Sequence, residues 1–425
     1  MDSSQKPILS ERATDFLLVI SIFFNSYVIT KSPTEIYLSY IPIFLLLPIF
    51  VMKYGVSRII LKIFFPLVIM GVIYIQLGEN TWGQFIKITL GFFTSILFYH
   101  LILEHYKFNL EKLFKIYMYA CYIFAVIGIV QLVSFYLGIA PLYRFNWILN
   151  KWSFSPGGLG IRVNSIFSEP SYVAASLAPA MFASLHNITS NSSIFLSKKK
   201  SIVIVLMYFL SFSSLGFFAF FIALIFLLVR KGFITAALFA APVTLLAFFL
   251  TYNTIDEFKE RVDGTYEIFS NQNIYSYDVH GSSFVLYNNY HVATTNFLKN
   301  PLFGSGLGSH LIAFDKYSLT NQIGVIDIEF NSADANSMFL RLLSETGIFG
   351  TGLFMLFLIK NYIPRKRALN EEYWLISVGC LIIIIVHLVR QGHYFYNGFP
   401  FFIWLYYYAS RLSKAKQLED NNKSA

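Results

Sequence analysis

Arg162 and Glu169 lie close together in the run Arg162-Val-Asn-Ser-Ile-Phe-Ser-Glu-Pro-Ser171. An arginine fork binds phosphate oxygens two at a time, and a carboxylate can accept the proton of a hydroxyl. The plainer reading has Ser168 capping a helix that opens at Pro170, with Glu169 complementing its positive end. A second set is Asp334-Ala-Asn336-Ser-Met-Phe-Leu-Arg341-Leu-Leu-Ser-Glu345, where Ser337, Arg341 and Glu345 share a helical face. Such an Arg–Glu pair either satisfies itself or faces a cavity, because a charge within an apolar run is costly. A third set, Arg390-Gln-Gly-His393-Tyr-Phe-Tyr396, places a cation and an imidazole in a short aromatic turn, which also suits an interfacial anchor. A fourth, Asn300-Pro-Leu-Phe-Gly-Ser-Gly-Leu-Gly-Ser-His310, alternates Gly304, Gly306 and Gly308. Without a strand–turn–helix context it reads as a tight loop rather than a phosphate cradle. His280, His291, His310 and His393 lack metal-ligand spacing, and the acidic residues form no cluster, so neither metal nor cofactor is expected.

The elements that must position these residues are membrane helices. Of 425 residues, 56% are hydrophobic and 13% charged, with a mean hydropathy of +0.59, against about 25% charged residues in an ordinary soluble domain. A soluble enzyme, a disordered chain and a nucleic-acid-binding domain are thereby excluded. The net charge of +9 does not argue for nucleic acid, since the basic residues sit in short clusters between apolar runs. Cys121 and Cys380 lie inside apolar runs and read as inert thiols.

Apolar runs of near membrane length fall at about 13–30, 36–52, 59–78, 83–103, 114–138, 166–186, 201–213, 214–229, 232–251, 337–360, 372–389 and 392–410. The reading is an all-α polytopic membrane protein, one domain over 1–425, with about twelve spans. Splitting the 201–229 run at Ser211-Phe212-Ser213 puts most basic clusters on one side, which makes both termini cytoplasmic. Two segments then face outward: a short loop, 139–165, and a large one, 252–335, both periplasmic in a bacterial inner membrane.

Asn300-Pro-Leu-Phe-Gly-Ser-Gly-Leu-Gly, then Asn336 and Leu-Leu-Ser-Glu-Thr-Gly-Ile-Phe-Gly, resembles the O-antigen ligase/polymerase superfamily. Arg162 with Phe167-Ser-Glu-Pro-Ser171 resembles its O-antigen polymerase (Wzy) branch. The resemblance implies a C-type glycosyltransferase-like fold that polymerises undecaprenyl-diphosphate-linked repeat units into O-antigen or related surface polysaccharide. It implies Arg162, Arg341 and Arg390 as diphosphate ligands, the guanidinium groups stabilising the leaving group without a metal. Glu169 is the first candidate for the base that activates the acceptor hydroxyl, and Asp334 the second. Asn336, His393 and Arg144 complete the candidate substrate site. The implied partners are lipid-linked glycans, membrane lipid, and a chain-length regulator and flippase of the same pathway, but not nucleic acid. Ligases of the superfamily, which transfer polymer to lipid A-core, carry a histidine immediately before the asparagine. Ala335 stands there in this chain, which favours polymerase over ligase. A lipid-linked-oligosaccharide flippase or other transporter is the alternative of a different class. It would bury ionisable residues mid-membrane, whereas here charge gathers at the outer mouths of the spans.

Overall fold

The computed structural model describes residues 10–32, 34–228, 242, 245–246, 248–271, 281–320 and 331–424. Helix α1 (Glu11–Phe23) leads through an antiparallel hairpin, β1 (Val28–Thr30) and β2 (Ile36–Tyr37), into α2 (Tyr40–Tyr54). Then come α3 (Arg58–Gln76), α4 (Trp82–His105), α5 (Leu110–Tyr136), the short α6 (Ala140–Tyr143), α7 (Pro170–Ser190), α8 (Lys198–Leu210) and α9 (Ser214–Leu228). The remaining helices are α10 (Asp256–Asn271), α11 (Gly281–Lys299), α12 (His310–Tyr317), α13 (Met338–Asn361), α14 (Glu371–Arg390) and α15 (Phe399–Ser424). The protein is mostly helical, and α3, α4, α5, α13 and α14 are each long and apolar enough to cross a membrane.

The helices depart from the apolar runs in places with identifiable causes. Run 13–30 ends as helix at Phe23, because Asn25 turns its amide to Ile22 O and to the Asn397 side chain. The hairpin beyond it is held from a distance: Asn150 accepts from Val28 N–H at 2.8 Å and donates to Val28 O at 2.7 Å. Run 201–229 is two helices, broken at Ser211-Phe212-Ser213 with Phe212 at φ +42°. Run 392–410 becomes α15 only at Phe399, after an irregular turn. Run 232–251 lies largely outside the described residues, as do 272–280 and 321–330 of the 252–335 segment.

Helices α7 and α14 form the centre. Ala174, Ala175, Ala178, Ala180 and Ala183 make α7 slender, so α8, α9 and α14 pack close against it. The C-terminal ends of α1 and α14 meet the N-terminal ends of α2, α7, α13 and α15 at one end of the bundle. At the other end the clusters Lys198–Lys200 and Arg365–Arg367 gather with Lys112 and Lys414 around Glu11, Asn191, Glu371 and the Lys360 carbonyl.

The two glycine motifs are one device. Helix α13 breaks at Gly347 (φ +60°), releasing backbone groups on either side of the break. The 300–306 loop takes them up: Ser305 and Gly306 N–H donate to Ser344 O and Glu345 O at 3.2 and 2.8 Å. In return Ile348 and Phe349 N–H donate to Pro301 O and Leu302 O at 2.9 and 3.1 Å. A Cβ on Gly304 would lie 2.4 Å from the Glu345 backbone, and one on Gly347 would lie 2.6 Å from Gly304 N. The Gly304–Gly308 alternation is thus a tight loop pressed onto a helix break. Gly347→Ala combines a left-handed backbone with overpacking and is expected to cost about 2–4 kcal/mol. A clearly lowered thermal midpoint of the detergent-solubilised protein checks this; an unchanged midpoint contradicts it.

Candidate functional site

Four segments converge where α7 and α13 begin. Asp334, 6% exposed in its side chain, stands before α13 with Oδ2 2.7 Å from His393 Nε2. Its Oδ1 accepts the Asn336 N–H at 2.9 Å. Ser337 caps α13 by accepting the Leu340 N–H, and its hydroxyl donates to Leu388 O at 2.6 Å, tying α13 to the end of α14. Gly392 passes so close to the Asp334 carbonyl that a Cβ would lie 1.4 Å from it. Burial alone would raise the Asp334 carboxyl. The charge and hydrogen bond of His393, the Asn336 N–H and the charge of Arg341 outweigh it and hold the group at about 2.

Tyrosines surround this pair. The His393 ring lies 5.0 Å from Tyr396, which contacts Tyr37 at 5.2 Å and Tyr172 at 5.3 Å; Tyr37 contacts Tyr40 at 5.6 Å. Tyr172 lies within electrostatic reach of both Glu169 and Asp334. Burial, then Tyr40 and the charges of Glu35 and Glu169, holds the Tyr396 phenol protonated, well above its usual value. Glu35 accepts from Tyr37 and pairs with Lys151, whose ammonium also lies 5.0 Å from the Tyr37 ring centre.

Glu169, Asp334, Asn336 and His393 are therefore brought to one place. The cap of α7 is Glu169 itself, with Pro170 as the first helical residue; Ser168, expected to cap, lies one position outside. Arg390, half-buried at the end of α14, precedes the turn that carries His393. Arg162 lies half-buried on the loop before α7, its N–H donating to Ser155 O at 2.9 Å. Arg144 stacks on Tyr143 and Phe154 in a separate shallow groove with Trp147.

Arg341, expected as a phosphate ligand, is an internal strut. It is 2% exposed, with Nε 2.9 Å from Glu345 Oε1, Nη1 donating to Gly392 O at 3.0 Å, and its fork 4.2 Å from the Tyr394 ring centre. Tyr394 donates to the other Glu345 oxygen at 2.9 Å. Its Nε and Nη1 are thus taken up inside the bundle, while Nη2 is buried without a hydrogen-bond partner among the described residues. His310 belongs to the same buried region: its Nε2 lies 3.1 Å from Asn289 Oδ1, and burial together with Arg341 lowers its ring to about 3, leaving it neutral.

The tyrosines are what sequence reasoning missed. Tyr394 and Tyr396 read as interfacial anchors, and Tyr37 and Tyr40 fell within an apolar run. No group of three or more His, Cys, Asp or Glu side chains able to hold a metal occurs among the described residues. Removing Arg341 alone leaves the Glu345 charge buried without its partner, expected to cost about 3–5 kcal/mol. Arg341→Met should therefore lower the thermal midpoint strongly, and Arg341→Met with Glu345→Leu should recover part of the loss. A normal midpoint with loss of activity alone would mark Arg341 as a ligand-binding residue instead. In comparisons with protein-family models and with curated proteins, nothing matches this chain.

Proposed function

We propose that the protein polymerises lipid-diphosphate-linked oligosaccharide repeat units into a surface polysaccharide. In this reading the chain spans a bacterial inner membrane about twelve times, with both termini cytoplasmic and the 139–165 and 252–335 segments periplasmic. The observation that carries the reading is the meeting of Glu169, Asp334 and His393 with Tyr37, Tyr40, Tyr172 and Tyr396, at the bundle end away from the Lys198–Lys200 and Arg365–Arg367 clusters. Carboxylates and imidazole accept sugar hydroxyls, and tyrosine rings offer flat apolar faces with polar tips that match a pyranose. The positive-inside tendency puts such a site on the periplasmic face.

A lipid-linked donor also needs room for its tail. An open groove of about 800 Å³ runs between α3 and α4, lined by Phe64, Phe65, Phe85 and Phe93. Helix α4 continues from it to the site, with Phe92 against Tyr394 at 5.5 Å. Arg162 and Arg390, on the segments leading into α7 and out of α14, are proposed as the diphosphate ligands, because planar guanidinium forks suit paired phosphate oxygens.

Deleting the protein should leave single repeat units on the lipid core, read by gel analysis of surface glycan. A bare core with long polymer retained on the lipid carrier would make it a ligase instead. Arg162→Ala should abolish long polymer, and Arg162→Lys should leave it severely shortened, because an ammonium does not reproduce the bidentate contact. Loss of such a charge-stabilising donor typically costs about 10²–10³ in rate. A wild-type ladder from Arg162→Lys at matched expression would remove this residue from the site.

A further inference from the structure

Resting on the polymerase reading, we infer that His393 is the base that activates the acceptor sugar hydroxyl, and that Asp334 positions it. Asp334 is less well placed for that task. Both Asp334 oxygens are engaged, Oδ1 by the Asn336 N–H and Oδ2 by His393 Nε2, and the side chain is 6% exposed. Such a carboxylate orients and steadies a neighbour; it does not reach a substrate hydroxyl.

His393 has the complementary properties. Its side chain is 32% exposed, and its Nδ1 makes no hydrogen bond among the described residues. Because an ionised carboxylate only accepts, Nε2 is the nitrogen that keeps its proton whenever the ring is neutral, and Nδ1 is then the one with the lone pair. The ring plane is set on one side by Tyr396, 32° from parallel. Its backbone is set by Gly392, which lies against the Asp334 carbonyl and whose own carbonyl accepts from Arg341. Base and orienting carboxylate thus sit on two turns locked to each other, the arrangement that nucleophile activation requires. Glu169, exposed at the cap of α7, is left to bind sugar hydroxyls.

The step balances without a further reactant. His393 Nδ1 takes the hydroxyl proton of the acceptor sugar while its oxygen bonds to the anomeric carbon of the donor. The anomeric C–O bond to the diphosphate breaks, and its electron pair leaves with the lipid diphosphate. The imidazolium, held against Asp334, returns its proton to water.

The test uses the full-length protein in lipid vesicles with purified lipid-linked repeat units, reading the initial polymerisation rate. General bases typically contribute about 10²–10⁴-fold, so His393→Ala should fall at least a hundredfold, and added imidazole should restore at least tenfold of that. Asp334→Asn should lower kcat at least tenfold while leaving KM for the acceptor within about threefold, since it acts through the ring. His393→Ala at the wild-type rate, or folded His393→Ala and His393→Gly both silent to imidazole, would overturn the assignment. If neither folds, His393→Gln, similar in shape and not basic, is read the same way: loss supports the assignment and retention overturns it. Wild-type protein that makes no polymer overturns the polymerase reading itself, a result separate from any outcome with the variants.

Discussion

The burial of Arg341 is the constraint on which the site depends. A fully enclosed guanidinium is tolerable only if charge and hydrogen bonds meet it, and three groups do: Glu345 one turn along α13, the Gly392 carbonyl and the face of Tyr394. Two of these belong to the turn that also carries His393 and Tyr396. Pairing Arg341 therefore fixes the 391–396 turn against the start of α13, and with it the Asp334–His393 geometry. Glu345 is held in its own place because the helix breaks just after it. Its carbonyl, freed by Gly347, accepts the Gly306 N–H. Break, strut and site form one chain of dependence running from residue 300 to residue 396.

That chain explains which features could be read from sequence and which could not. The Arg341–Glu345 spacing is local, so a shared helical face was legible, as were the break at Ser211–Ser213 and the tight turn at Gly304–Gly308. The direction Arg341 faces was not legible, because Gly392 and Tyr394 are some fifty residues away. The same holds for α1, whose early end depends on Asn397 and whose following hairpin depends on Asn150. An apolar alternation of Val, Ile and Tyr fits a span and a half-buried strand equally well, and only these distant side chains decide between them. The tyrosines around His393 come from β2, α2, α7 and the 391–398 turn, and no window along the chain contains them together.

The segment ahead of α13 shows what such placement costs locally. Ala335 and Asn336 both adopt left-handed backbone, at φ +59° and +54°, and such conformations cost non-glycine residues of order 1–3 kcal/mol each. Asparagine is among the residues that tolerate it, and alanine has the smallest side chain that must bear it. Three interactions offset the strain. Asp334 Oδ1 takes the Asn336 N–H, the Ala335 methyl is fully buried with Ala293 and Leu340, and Ser337 both caps α13 and bonds Leu388 O. A relaxed entry into α13 would carry the backbone at 334 along the helix axis and away from the 391–396 turn. The paired left-handed residues instead turn it back, so that the Asp334 carbonyl meets Gly392 and the carboxylate meets His393. A buried alanine followed by an asparagine is thus what the position demands. A β-branched residue at 335 would clash with its own backbone in this conformation, and a longer side chain would have to enter the fully buried cluster with Ala293 and Leu340.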